Sequence, residues 1–394
     1  MPFVDESMSA LKPTSPEELA DILRSSAEAS KTVNIFGRNS KRFMAGPILP
    51  ADITVSTSSL DKVLLYERDD LTVSVGAGMP FNALQDFLRR QGQMIALDPP
   101  FAEDATVGGV VASNVSGPMR RGYGTARDLV IGMTFATLEG KLIKAGGMVV
   151  KNVAGLDMGK MMIGSFGTLA AMTSVNFRVH AMPEATQTFL YSSTDPELIM
   201  ETHGRVLRQT QLRPASIDIL SPPAAARVDA KGFLLAIRAG GSPTVLGRYE
   251  RELGGAQILK GEDERAWWNC ITEFPADFLR RQPGGVVIRL GTPLTGIRTL
   301  LKLVEAPVVC RAGSGVSYVY LSSWPPAPPI LATAAEQGWT AVVEHAPDDV
   351  RSSQDLWVEK RNPGSSAAFA MMEKIKRMFD PASLLNRSRL YGKL

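Results

Sequence analysis

Cysteine is nearly absent from this chain: Cys270 and Cys310 are the only two in 394 residues. They lie far apart and form no CxxC pair, so zinc-finger and iron–sulfur ligand sets are excluded. A disulfide framework is excluded as well, which fits a reducing compartment. Histidine is equally scarce, with only His180, His203 and His345. No apolar run reaches the ~20 residues needed to cross a bilayer. The acidic, polar start, MPFVDESMSALKPTSPEELA, reads as neither a signal peptide nor a mitochondrial presequence. A net charge of +3 is too small to make nucleic acid the main partner. Repeats and low-complexity segments are also missing. What remains, 44% hydrophobic and 21% charged residues, is the composition of a soluble globular protein of roughly two to three domains.

Glycine is where the chain becomes specific. The stretch from Glu103 to Asp128 holds Gly108, Gly109, Gly117, Gly122 and Gly124 beside Thr106, Ser113, Asn114 and Ser116. Glycine allows close backbone approach, and small hydroxyl and amide side chains offer donors. That is the composition of a loop fitted against a phosphate-bearing cofactor. A second such place is Gly37-Arg38-Asn39-Ser40-Lys41, following a short apolar strand over Thr32 to Phe36. It matches neither a Walker loop nor a GxGxxG turn. Further small-residue regions are Lys151 to Asp157 and Gly164 to Leu169.

Around these, periodicity predicts a helix over Pro13 to Arg24, with Ser15 as N-cap and Pro16 at its first position. Half-buried strands are expected at Ile53 to Ser56 and Leu71 to Val75, and an amphipathic helix over Phe81 to Gln91 that Gly92 stops. A hairpin is expected around Glu139-Gly140-Lys141, a strand at Val175 to Val179, and a boundary at Met182-Pro183. From Glu184 to Pro347 strands and helices alternate between proline clusters, as in a separate α+β domain. Ala367 to Phe379 reads as a last helix.

Thr106-Val107-Gly108-Gly109, Ser113 to Gly117 and Tyr123-Gly124…Arg127-Asp128 resemble the flavin-binding domain of the vanillyl-alcohol-oxidase (PCMH-type) superfamily. Phe36 to Lys41, Gly164 to Thr173 and Asp380-Pro381…Leu385-Asn386-Arg387-Ser388-Arg389 fall in that family's order. Within it, the chain is similar to the FAD-binding subunits of bacterial glycolate oxidases. The resemblance implies an α+β fold: a two-subdomain PCMH-type FAD-binding domain over residues 1–183, a smaller α+β cap over 184–347, and a C-terminal helix and tail over 348–394 returning to the flavin. It implies FAD, with Phe36, Gly37, Arg38, Asn39, Ser40 and Lys41 as the first pyrophosphate loop. Backbone donors would come from Gly37 to Lys41 and from Thr106, Gly108 and Gly109. Ser113, Asn114, Ser116 and Gly117 would lie along the isoalloxazine, Gly167, Thr168 and Met172 on the adenine side, and Asn386 near the ring. Pro99 and Pro100 complete the expected set. No histidine or cysteine falls in these motifs, so FAD is expected to be noncovalent.

The 2-hydroxy-acid dehydrogenases of this superfamily carry a metal site, and its motif resembles Arg311-Ala312-Gly313-Ser314-Gly315-Val316-Ser317 and Glu344-His345 here. Arg311 and Ser317 would replace both ligand histidines, so no metal is expected, and Glu344 and His345 are expected at a surface or domain interface. Arg311 is a candidate cation for a substrate carboxylate or, equally, a partner for a surface acid. No catalytic base stands out. With no iron–sulfur ligands, electrons must leave through a partner. The resemblance implies a sister flavin subunit and an iron–sulfur subunit acting on glycolate, a small 2-hydroxy acid. A self-sufficient dehydrogenase and a structural subunit without catalysis are the other readings. A cytoplasmic location is implied, with membrane association only through partners.

Overall fold

The computed structural model describes residues 10–148, 157–209, 211–358 and 363–394. The glycine-containing region Lys151 to Leu156 lies outside the described residues. The chain opens with a helix, Pro16–Glu28, capped as expected: the Ser15 hydroxyl accepts from the Glu18 amide. Leu19 and Leu23 pack its inner face against Val33, Val55 and Leu385. The strand Val33–Phe36 then pairs in parallel with Ile53–Ser56.

An antiparallel five-stranded sheet follows, ordered Val63–Glu67, Thr72–Gly76, Ala171–Arg178, Val130–Ala136, Leu142–Gly146. Its last two strands are the hairpin expected around Gly140. Two expectations change here. The strand Thr72–Gly76 is buried on both faces instead of one, because strands flank it on both sides and helices cover it. The edge strand Val63–Glu67 has no expected counterpart. Its Leu64 and Leu65 are exposed, so it lacks the apolar alternation that marks a half-buried strand.

The glycine-rich stretch is not a loop. Val107–Ser113 is a helix capped by Thr106, whose hydroxyl accepts from the Gly109 amide, and Arg120–Tyr123 and Ala126–Leu129 are single helical turns. Glycine here lowers helix propensity, and tertiary packing overrides it: a side chain on Gly108 would meet Ala77 at 3.0 Å.

The rest is dominated by one nine-stranded sheet. Its order is Gln257–Lys260, Ala185–Ser193, Phe233–Gly241, Ser216–Leu220, Val308–Arg311, Val316–Leu321, Val286–Gly291, Thr340–His345, Trp357–Val358. One face shares a continuous apolar core with the five-stranded sheet. The other is sealed by Trp267, Trp268, Phe274 and Tyr320. After the helix Pro363–Phe379 the tail returns to the start of the chain. The Val33 amide donates to Leu384 O at 2.9 Å, and the Asn386 amide donates to Val33 O at 3.0 Å. Among the described residues, no helix is long and apolar enough to cross a membrane.

Candidate cofactor site

The first strand, the capped helix and the returning tail enclose an open cleft of about 1010 Å³. Phe36, Gly37, Arg38, Asn39, Ser40, Lys41, Thr106, Gly108, Gly109, Ser113, Gly167, Met172 and Asn386 all line it. A second cavity shares Ser113 and Phe166 with the first, and Asn114, Ser116 and Thr168 line it. Pro99, Pro100 and Gly117 line neither. Gly117 is instead packed on Asp98, whose carbonyl a side chain there would meet at 2.1 Å.

The loop after the first strand has the chemistry of an anion cradle. No hydrogen bond from the amides of Arg38, Asn39, Ser40 and Lys41 to a protein acceptor is present among the described residues. Asn39 stands at φ +59, a left-handed residue of the kind that turns successive amides inward to one side. The loop is anchored through its carbonyls. Ser56 Oγ donates to Gly37 O at 2.7 Å, and Arg389 donates to Lys41 O at 3.2 Å and Met44 O at 2.8 Å. Arg351 adds bonds to Arg42 O at 3.0 Å and Gly46 O at 2.7 Å. Two buried guanidinium groups thus hold the loop carbonyls while its amides stay unused. Burial brings Arg389 down to about 9 and Lys41 down to about 8. Lys41 makes no ion pair among the described residues; its Nζ is 3.5 Å from Ser40 Oγ. Unpaired buried positive charge beside free amides calls for an anion.

Of the other expected donors, the amides of Gly108 and Gly109 are taken. Val107 donates to Met79 O at 2.9 Å, Gly108 to Ala77 O at 2.7 Å, and Gly109 to Thr106 Oγ1 at 3.2 Å. Gly108 and Gly109 therefore serve close packing. Gly37 does the same from the opposite wall, since a Cβ there would stand 2.0 Å from Thr106 Oγ1.

Asn386 is also spent. Its Oδ1 accepts from the Ile35 amide at 2.6 Å, and its Nδ2 donates to Ile35 O at 3.0 Å and Phe166 O at 2.7 Å. It ties the first strand to the Phe166-Gly167 turn instead of offering a donor to a ring. Behind it, Lys376 Nζ donates to Asp380 Oδ2 at 2.5 Å, Thr168 O at 2.7 Å and Leu385 O at 3.1 Å.

The remaining candidates sit on the nine-stranded sheet. Arg311 is buried and bonded to Asp218, which is itself fully buried, so it is not a free cation for a substrate. Ser317 is buried on the neighbouring strand. Glu344 and His345 are buried at the contact between the sheet and the loop following Lys41: Ala45 donates to Glu344 O at 2.8 Å, and Met44 bridges His345. They are buried between the sheet and that loop and not on the surface. Glu344 lines the second cavity with Arg120, Arg289, Tyr318 and Tyr391. Burial raises its pKa, opposed by Arg289. Burial brings His345 down to about 3, keeping it neutral, with Lys41 adding to the effect. Arg120, Arg289 and Tyr318 carry no sequence signal of their own, and neither does Arg351. Arg389 could have been found as the second arginine of the tail motif.

Residues 9–146 match a family profile described as FAD binding domain. The chain carries a PCMH-type FAD-binding domain. This flavoprotein is 27% identical to glycolate oxidase subunit GlcE of Escherichia coli over 361 residues, 91% of this chain and 93% of that one. An uncharacterized FAD-linked oxidoreductase of Mycobacterium tuberculosis is 26% identical over 428 residues, covering 97% of this chain and 90% of its own. D-lactate dehydrogenase of Archaeoglobus fulgidus is 32% identical over 181 residues, 45% of this chain and 40% of that one. Among solved structures, 4-ethylphenol oxidase from Gulosibacter chungangensis superposes with a TM-score of 0.74 at 12% identity, covering 97% of this chain and 88% of that one. Alkyldihydroxyacetonephosphate synthase superposes with a TM-score of 0.68 at 17% identity, covering 96% and 76%. The two structures share the fold, a mixed α and β architecture. FAD fits the residues present, since its pyrophosphate needs the free amides and unpaired cations that the first cleft holds.

Proposed function

We propose that this chain is the FAD-binding subunit of a complex that oxidises a small 2-hydroxy acid, glycolate, to its 2-oxo product. The observation that carries the reading is the match to glycolate oxidase subunit GlcE along nearly the whole of both chains, together with a cleft whose unused amides and buried cations suit FAD. In this reading Arg38 to Lys41 hold the pyrophosphate. Gly37, Gly108, Gly109 and Gly167 let backbone and cofactor approach, and Asn386 positions the walls. FAD supplies the hydride-accepting chemistry when bound. Among the described residues no histidine or cysteine lines the first cleft, which supports noncovalent attachment.

Electrons then leave through an iron–sulfur partner, because two distant cysteines cannot hold a cluster. A sister flavin subunit completes the assembly in the cytoplasm, and any membrane contact is made by partners. The test is purification of the tagged chain from its own host. Iron, released FAD and a second flavoprotein are expected in the preparation. Glycolate added without oxygen is expected to bleach the flavin of that complex. A complex left fully oxidised by glycolate and D-lactate alike would sink the reading.

A further inference from the structure

The second cavity is built from both halves of the molecule. Arg120 reaches it from the helical turn that follows the glycine-rich helix. Arg289, Tyr318 and Glu344 reach it from three adjacent strands of the large sheet. Arg289 and Tyr318 are direct cross-strand partners and so face the same side. Glu344 joins them by strand alternation: Val342 pairs with Arg289, and Glu344 lies two residues further along the same strand, on the same face. The pairing then slips at Glu344, where Ile288 pairs with Val343 and Val287 with His345; such bulges are frequent beside active sites.

The charges of the cavity do not cancel. Glu344 Oε2 lies 3.1 Å from Arg289 Nε in an ion pair, and Glu344 is only 5% exposed. Arg120 makes no ion pair among the described residues, and its Nη1 donates only to Ser116 Oγ at 3.2 Å. Arg120 and Arg289 thus face the one acidic side chain among the described residues of the lining, Glu344, with Arg127 and Lys160 also on the wall and the phenols of Tyr318 and Tyr391 beside them. A purely structural ion pair between Arg289 and Glu344 would not require a second arginine, Arg120, without an ion pair at the same cavity wall.

We propose that this cavity is a binding site, formed by this chain alone and without a metal ion, for the carboxylate of a small 2-hydroxy or 2-oxo acid. Arg120 and Arg289 hold the acid's carboxylate. Glu344 is the acceptor for the hydrogen of its 2-hydroxyl group. Planar guanidinium groups are the side chains suited to a carboxylate. The substrate class rests on the function proposed above, whereas the carboxylate chemistry rests on the cavity.

The test uses the purified, FAD-loaded full chain and oxalate as a redox-inert probe. Binding is read by calorimetry and by perturbation of the flavin spectrum, with and without EDTA. Saturable binding is expected, unchanged by EDTA. In Arg120→Met and Arg289→Met it is expected to weaken by about tenfold or more, with flavin content retained. Arg120→Met carries the test if loss of the Glu344 partner unfolds Arg289→Met. Absence of saturable oxalate binding, equal affinity in Arg120→Met, or loss of binding in EDTA each overturns the proposal. Oxalate binding without reduction by glycolate would leave the site standing and remove the glycolate reading. Reduction of the assembled complex without oxalate binding to this chain would do the reverse.

Discussion

Asn386 Nδ2 donates to the carbonyl of Phe166 at 2.7 Å, and Phe166 is held at φ +53, a conformation unfavourable for a residue with a side chain. The next residue, Gly167, stands at φ +70, and a Cβ on it would meet Asn386 Nδ2 at 2.6 Å. The tail therefore fixes the turn at which the two cavities meet. Asn386→Ala would leave the Ile35 amide, Ile35 O and Phe166 O without their partner in a buried setting. A loss of about 2–4 kcal/mol is expected from such orphaned groups, with FAD affinity falling in parallel. Asn386→Asp should be no gentler, since a carboxylate would face the Phe166 carbonyl in place of a donor. Thermal unfolding and flavin content of both variants check this.

Gly37→Ala is expected to abolish flavin retention while leaving the fold. The added methyl would stand 2.0 Å from Thr106 Oγ1, and that hydroxyl cannot swing away without uncapping the helix at Gly109. The cap alone is worth about 1 kcal/mol, so the chain survives, but the loop is pushed from the wall it must lie against. Gly147→Ala is the control, because nothing among the described residues lies within 4 Å of a Cβ there. Flavin-to-protein ratios after desalting decide the matter. A Gly37→Ala protein as yellow as the Gly147→Ala control would show that the loop does not hold the cofactor.

Much of the site was legible in residue types, and its errors share one cause. The loop at Gly37 to Lys41 could be read because glycine and small polar residues after a strand mean the same thing wherever they occur. The same reasoning assigned donor roles to Gly108, Gly109 and Asn386. It could not know that their hydrogen bonds go to Ala77, Thr106 and Phe166. Arg311 was a candidate cation until the fold placed Asp218, 93 residues earlier in the chain, against it. The second cavity was illegible for the same reason. Arg289, Tyr318 and Glu344 meet only because their strands are neighbours in this order and register. Periodicity found the elements but not which of them lie side by side.

The buried pair of Lys376 and Asp380 makes a third prediction. Asp380 accepts from the amides of Leu384 and Leu385 at 2.9 and 2.8 Å, and so shapes the tail's return. Removing one partner strands the other charge in the interior, at a cost of about 3–5 kcal/mol. Asp380→Leu should release the tail, lower the melting temperature and lose FAD. The double variant with Lys376→Met should be more stable than Asp380→Leu alone. A double-mutant cycle in thermal or urea unfolding measures the coupling. Additive losses would mean that the pair does not act as a unit.

Lys41 should give the site a pH signature. Its amine is buried, with the carboxylates of Glu273 and Asp104 only partly offsetting desolvation, so its pKa falls from 10.5 to about 8. The unfolded chain then binds more protons than the folded one between those two values. Stability contributed by this group therefore rises as pH increases through that window, and the penalty is constant below about pH 8. FAD-free protein should melt at a higher temperature at about pH 9.5 than at about pH 7.5 relative to Lys41→Met, in which this rise is missing. The pyrophosphate reverses the balance, because an anion beside the amine favours its charged form. FAD binding at about pH 9 should accordingly take up a proton, seen as a dependence of the calorimetric enthalpy on the ionisation enthalpy of the buffer. Lys41→Met should bind FAD more weakly and without that uptake. Equal proton uptake by both proteins would place the phosphates away from Lys41.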